Sequence, residues 1–203
     1  MTKQALKIFD ELKKLDWNND DEIIDYYESH SLFFSESDKL SEPDALATAV
    51  NVTLRYGYAL HYKSYYKRVF NTVRHANKLI RKLSPAHYKY NDFVYDALYL
   101  EARTLNLMHK FREAYPIFKY LCQQDPENYN YRKWFIDTKI GLYKWISNTF
   151  IGIGFTFVLL DIALIFFESI QPPVDLGIAG VGIMVSSLII FWGVGKFMMS
   201  KND

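Results

Sequence analysis

The chain has 203 residues, half of them hydrophobic, and a formal net charge of +1 at pH 7. Its single cysteine, Cys122, excludes an intramolecular disulfide and a zinc site built from clustered cysteines. The small net charge conceals a gradient, because residues 1–44 carry twelve acids against five lysines whereas residues 45–141 carry sixteen basic groups against seven acids. This gradient indicates either an acidic partner for the basic middle or pairing of the two segments inside one domain.

Helical periodicity dominates the first part of the chain. Residues 2–15 place apolar side chains on one side at helical spacing, and a second short helix follows around Ile23 and Tyr27. The serine-rich segment 29–41 is predicted to be a loop. Pro43 then favours the start of a longer helix, because its missing N–H costs nothing in the first turn.

Turn residues separate the helices that follow. One predicted helix ends at Ser84 and Pro85, the next covers about residues 91–108, and a further one ends at Asp125 and Pro126. A last helix begins near Asn128. No strand-like alternation of useful length is present, so the predicted fold class is all-α.

The C-terminal third contains two long apolar runs. The predicted spans cover about residues 146–168 and 176–197, and each has about the length that a helix needs to cross the roughly 30 Å hydrocarbon core of a bilayer. The connection between them contains Pro172 and Pro173 and is too short for a domain. These runs predict a two-helix transmembrane hairpin over residues 141–203, preceded by a cytoplasmic helical domain over residues 1–140.

Basic residues flank the predicted spans on one side only, which places both termini in the cytoplasm by the positive-inside rule. No organelle-targeting segment is visible, and a composition rich in lysine, asparagine and tyrosine is common in bacteria. We therefore expect an integral protein of the bacterial inner membrane, with the lipid bilayer as one partner and a eukaryotic organelle membrane as the alternative.

Two features of the predicted hairpin suggest a role. Asp161 is the one charged residue within a span, and it is interpreted either as a pore or ion site or as an acid tolerated near the interface. The second span carries a stripe of small residues that favours close helix packing, within the hairpin or in a homo-oligomer or larger membrane complex. The stripe consists of Ala179, Gly182, Ser186 and Gly193.

Residues 95–128 resemble one tetratricopeptide repeat, a helix–turn–helix unit of 34 residues. The residues that carry this resemblance are Leu98, Ala102, Leu105, Ala114, Phe118 and Pro126, whereas Glu101 and Leu121 depart from the usual pattern. The preceding pair, at about residues 45–83, is similar but degenerate. The resemblance implies a stack of helix pairs with a concave groove that receives a peptide or helix of a protein partner.

On this resemblance we expect the groove on the first helices of the pairs. The expected groove residues are Arg55, Tyr58, Tyr62, Tyr99 and Arg103. The leading hypothesis is therefore a membrane-anchored helical-repeat adaptor or scaffold at the cytoplasmic face. Its alternative is an oligomeric pore-forming or transport-related two-span protein that the cytoplasmic domain regulates.

No pattern of catalytic chemistry is visible, so we expect no enzyme, no cofactor and no metal site. The five histidines lack ligand partners at helical spacing and are predicted at the surface or in turns. Cys122 is predicted to pack in the core. The basic and tyrosine-rich run that includes Arg74 and Lys78 is interpreted as a solvated helix face, which makes a nucleic-acid partner unlikely.

Overall fold

The computed structural model describes residues 3–166, 178–179, 181–186 and 189 of the chain. The part that it describes is helical throughout and contains no strand. The long helices are α1 (Lys3–Leu12), α2 (Asp20–Ser29), α4 (Pro43–Tyr62), α5 (Tyr66–Ile80), α6 (Tyr90–Leu107), α7 (Phe111–Gln124) and α8 (Tyr129–Phe166). Between α2 and α4 lie the short helix α3 (Ser31–Ser35) and a 3₁₀ turn (Ser37–Lys39). The prediction of an all-α fold is confirmed.

The chain divides into two compact units, Met1–Phe135 and Ile136–Asp203. The first unit contains α1 to α7 and the start of α8. The second contains the remainder of α8 and the described residues beyond it.

Helix α4 is the central element of the first unit and packs against α2, α5 and α6. Its sequence carries alanine, valine and leucine on most sides, and most of its residues are buried. Gly57 lies at a close approach of α4 to α5 and α6. A Cβ added there would lie 2.8 Å from Cδ2 of Leu100 on α6 and 3.3 Å from Cγ2 of Thr72 on α5.

Two contacts define how α4 and α6 run relative to each other. Gly57 meets Leu100, and four residues later on both helices the Nδ1 atom of His61 lies 3.2 Å from Oγ1 of Thr104. Since the contacts advance by one turn in the same direction on both helices, α4 and α6 are parallel. Helix α5 lies between them in the sequence and packs against both.

The segment predicted as a loop, residues 29–41, is largely helical. Phe34 on α3 is fully buried, and its ring stacks on Tyr27 at a centroid distance of 4.5 Å. Tyr27 in turn stacks on Tyr56 of α4 at 4.0 Å. Burial of this aromatic column holds the segment in place despite its polar, serine-rich sequence.

The acidic N-terminal segment pairs with the basic middle of the chain. Asp21 forms an ion pair with Lys63 at 2.7 Å, and Asp38 forms one with Lys78 at 2.7 Å. Glu28 likewise pairs with Arg68. Of the two interpretations of the charge gradient, pairing within one domain is therefore observed.

The second unit presents much apolar surface in the side chains that are described. Those of Trp145, Phe150, Phe155, Leu159 and Leu160 on α8 are all exposed. Ile178, Val181, Val185 and Ile189 are exposed as well.

The predicted localisation in a membrane is wrong for the described part of the chain, in which no helix is both long and apolar enough to span a bilayer. The uncharged part of α8 between Lys144 and Asp161 covers residues 145–160, which is about 24 Å of helix. That length falls short of the roughly 30 Å hydrocarbon core. The first predicted span reached sufficient length only by including Asp161.

Most of the second predicted span, residues 176–197, lies outside the described residues, as does the connection that contains Pro172 and Pro173. The predicted orientation with both termini in the cytoplasm, the bilayer as a partner and the pore-forming alternative all depended on the two spans. The predicted orientation is corrected together with the localisation, whereas the bilayer as a partner and the pore-forming alternative are not tested by the described residues.

Replacing Gly57 by leucine tests the close approach of α4 to its neighbours. We expect Gly57→Leu to lower the free energy of unfolding by about 1–3 kcal/mol, because the new side chain must displace Leu100 and Thr72. Urea unfolding followed by circular dichroism measures this. Gly152→Leu is the control, since an added Cβ there meets no atom within 4 Å. A variant at Gly57 as stable as the wild type would contradict the packing described.

Candidate functional site

Two parallel helices bring the five predicted groove residues onto one face of the first unit. Arg55, Tyr58 and Tyr62 are spaced by three and four residues on α4, and Tyr99 and Arg103 are one turn apart on α6. The Arg103 guanidinium lies over the Tyr62 ring at 5.8 Å and over the Tyr99 ring at 5.4 Å. Residues that are about forty positions apart in sequence therefore meet around a single cation.

The start of α8 adds two aromatic residues that were not predicted. The Trp134 ring lies 5.1 Å from the Arg103 guanidinium, and the Tyr131 and Tyr99 rings are 5.4 Å apart. Trp134 also stacks on buried Phe118 of α7 at 6.3 Å, which fixes it against the core. We call the surface formed by Arg55, Tyr58, Tyr62, Tyr99, Arg103, Tyr131 and Trp134 the aromatic–arginine face.

The exposure of these side chains differs across the face. Tyr62 is 61% exposed, so most of its ring is open to solvent. Tyr99, Arg103, Tyr131 and Trp134 are half-buried around it, and Arg55 is exposed. The half-buried side chains therefore surround the ring of Tyr62, which projects into solvent.

Tyr58 and Arg55 lie around Asp96 of α6. The Tyr58 hydroxyl donates a hydrogen bond to the main-chain oxygen of Asp96 at 3.4 Å. Burial raises the pKa of the Tyr58 hydroxyl, and the nearby charge of Asp96 raises it further. Desolvation raises the pKa of the Asp96 carboxyl, and the charge of Arg55 opposes this shift. Arg55 therefore acts as the nearby cation for Asp96.

His61 lies beneath this face and not at the surface, so the prediction of surface or turn histidines is wrong at this position. Its side chain is only 3% exposed and contacts the Thr104 hydroxyl through Nδ1. Burial lowers the pKa of His61 to about 4, and the positive charge of Arg103 contributes to the shift. His61 is therefore neutral at physiological pH and acts as a core residue.

Possible metal ligands and the single cysteine were the other candidates for a functional site. Within the residues that the structure describes, no three His, Cys, Asp or Glu side chains are grouped so that they could hold a metal ion. Cys122 is half-buried, and burial raises the pKa of its thiol, which reduces the fraction of reactive thiolate at neutral pH.

The residues proposed for the hairpin lie in the second unit. Asp161 falls within α8. Ala179, Gly182 and Ser186 are exposed, and a Cβ added at Gly182 would meet no atom within 4 Å. Gly193 lies outside the described residues.

Comparisons with protein-family models, with curated proteins and with solved structures give no match for this chain. The geometry of the aromatic–arginine face is therefore the basis for a functional assignment.

The depressed pKa of His61 predicts a specific pH dependence of stability. An unfolded histidine, with a pKa near 6.5, binds a proton that buried His61 does not bind until about pH 4. Stability is therefore lost as the pH falls from 6.5 towards 4, by about 3 kcal/mol in total from this residue. His61→Gln should remove this loss in urea unfolding experiments at pH 7 and pH 4.5. His109→Gln, at an exposed histidine, is the control and should retain it.

Proposed function

We propose that this protein is a helical-repeat adaptor whose aromatic–arginine face binds a peptide segment of a protein partner. The observation that carries the proposal is the exposed Tyr62 ring beside Arg103, supported from beneath by Tyr99 and Trp134. The proposed role is binding and not catalysis. By holding a partner on a folded scaffold, an adaptor raises the partner's local concentration near whatever else the scaffold contacts.

The arrangement of the helices supports a tetratricopeptide-like scaffold. Helices α4 and α5 form one pair joined by a short turn, α6 and α7 form the next, and α8 follows as the first helix of a third. The parallel course of α4 and α6 is what successive first helices of such pairs require. All residues of the aromatic–arginine face come from these first helices.

The core between α6 and α7 supports the same proposal. Ala102, Leu105, Ala114 and Phe118, which carry the sequence resemblance, belong to one buried cluster, and Leu98 packs against it. Small residues on both helices let the pair approach closely, and the aromatic ring fills the remaining space. Glu101, which departs from the pattern, is half-buried, and burial raises the pKa of its carboxyl.

The residue types of the face fit protein recognition. Tyrosine, tryptophan and arginine are enriched among the residues that dominate binding energy at interfaces. A tyrosine or tryptophan ring offers a large contact area for few rotatable bonds, so ordering it on binding costs little entropy. Tyr62, Tyr99 and Trp134 are also supported by neighbouring helices, which lowers that cost further.

Truncation of Tyr62 tests the proposal. The full-length chain is labelled and applied to an array of short peptides of varied sequence, and dissociation constants of captured peptides are measured by fluorescence anisotropy. We expect Tyr62→Ala to weaken binding about tenfold or more, the usual effect of removing an interface tyrosine of this kind. The free energy of unfolding should change by less than about 0.5 kcal/mol, because the side chain is largely exposed.

Tyr88→Ala is the matched control. Tyr88 is also a highly exposed tyrosine, at 78%, but it lies outside the aromatic–arginine face. Its truncation should leave peptide binding unchanged. Failure of the wild-type chain to bind any peptide, or an equal loss for both variants, would contradict the proposed function.

A further inference from the structure

Two arginines of the first unit, Arg68 and Arg103, lie over aromatic rings. They differ in whether a carboxylate of the chain also pairs with the guanidinium. The Arg68 guanidinium lies over the Tyr56 and Tyr65 rings at 5.8 and 5.7 Å, and it also pairs with the Glu28 carboxylate and bonds the Tyr56 hydroxyl. Arg103 lies over three rings at 5.1 to 5.8 Å. Within the described part of the chain, however, no carboxylate forms an ion pair with Arg103.

The missing carboxylate is physically significant because Arg103 is the more enclosed of the two arginines. Its side chain is half-buried whereas that of Arg68 is exposed, and its Nε atom is buried without a hydrogen-bond partner. Aromatic rings attract a guanidinium through their faces, but they accept few hydrogen bonds and do not neutralise its charge. A partly desolvated charge is normally balanced by a counter-ion, and the described residues supply none to the Arg103 guanidinium.

The positive charge of Arg103 also affects the pKa values of neighbouring side chains. It disfavours protonation of His61. Burial raises the pKa of the Tyr99 hydroxyl, and both the charge of Arg103 and a side-chain hydrogen bond with Arg103 oppose this shift. Arg103 therefore has a phenolic partner, as Arg68 has, but no carboxylate partner among the described residues.

Two acids act on the aromatic–arginine face. Burial raises the pKa of the Tyr131 hydroxyl, and the charges of Asp96 and Asp125 raise it further. Asp96 is in turn influenced by Arg55. Within the described residues, none of these acids forms an ion pair with Arg103.

We infer that Arg103 binds a side-chain carboxylate of the protein partner, so that the partner's docking segment contains an aspartate or glutamate. The bound carboxylate would occupy the position that Glu28 takes at Arg68. An arginine fork can bond both oxygens of a carboxylate, and the flanking rings hold the guanidinium in one orientation before binding. Tyr62 packs against the residues on either side of that acid. This inference rests on the proposed function and specifies its ligand.

The test uses acid-containing peptides from the same array, each paired with a copy in which aspartate and glutamate are replaced by asparagine and glutamine. All peptides are acetylated and amidated at their ends, so that side chains supply the only carboxylates. We expect the full-length chain to bind the acidic members about 10- to 100-fold more tightly than their amide copies, the effect of a hydrogen-bonded charge pair. The difference should shrink as salt concentration rises.

Substitutions then assign the effect to Arg103. Arg103→Met keeps an unbranched side chain over the rings without the charge and should abolish the preference for acidic peptides. Arg103→Lys keeps the charge but not the fork and should retain part of the preference. Arg74→Met, at an exposed arginine of α5, is the matched control and should bind as the wild type does.

A stability measurement separates ligand binding from a structural role. Because Arg103 has no ionic partner within the described residues, Arg103→Met should leave the unfolding midpoint unchanged or raise it. A lowered midpoint together with an unchanged preference for acidic peptides would overturn the inference. Equal binding of acidic and amide peptides would also overturn it while leaving the proposed function intact. Absence of any peptide binding would instead contradict the proposed function itself.

Discussion

The close approach of α4 to α6 at Gly57 is the contact on which the architecture of the first unit depends. With no side chain at Gly57, Leu100 packs directly against the α4 backbone. One turn further along both helices, the same spacing brings His61 to Thr104 and Tyr62 to Arg103. A larger residue at Gly57 would separate the helices where the buried polar pair and the surface cation–ring contact both form. Core packing and the candidate binding site are therefore consequences of one steric constraint.

In the part of the chain that the structure describes, some basic residues of the first unit pair with N-terminal acids, whereas Arg103 does not. The acidic N-terminal segment supplies the carboxylates that pair with Lys63, Arg68 and Lys78, so part of the basic excess of residues 45–141 is balanced within the fold. Those pairs are largely exposed and individually contribute little to stability. Arg103 faces α8, where it contacts Trp134, and none of these N-terminal acids forms an ion pair with it within the described residues. The N-terminal acids therefore pair with Lys63 and with two basic residues of α5, whereas Arg103 has no ion pair among the described residues.

Local patterns in the sequence predicted the helices of the first unit well, because proline, asparagine and apolar spacing act over a few residues. The five residues proposed for the groove lie on adjacent parallel helices, and that placement followed from the repeat resemblance. Features that depend on distant contacts were not predicted. Phe34 orders a serine-rich segment by stacking on Tyr27, and Trp134 joins the face across Phe118; neither partner is visible in local sequence. The membrane localisation is wrong for the described part of the chain, where the uncharged stretch of α8 before Asp161 is shorter than a bilayer core.

The aromatic–arginine face also explains how the fold tolerates Arg103, a cation that has no ion pair among the described residues. Stacking on Tyr62, Tyr99 and Trp134 recovers part of the interaction that the guanidinium loses with water, and His61 beneath it remains neutral, so no second charge is buried beside it. An internal carboxylate at Arg103, like Glu28 at Arg68, would satisfy the cation but would leave nothing for a ligand to neutralise. The same rings that make the charge tolerable fix its direction, so a carboxylate that reaches Arg103 meets a donor already in place.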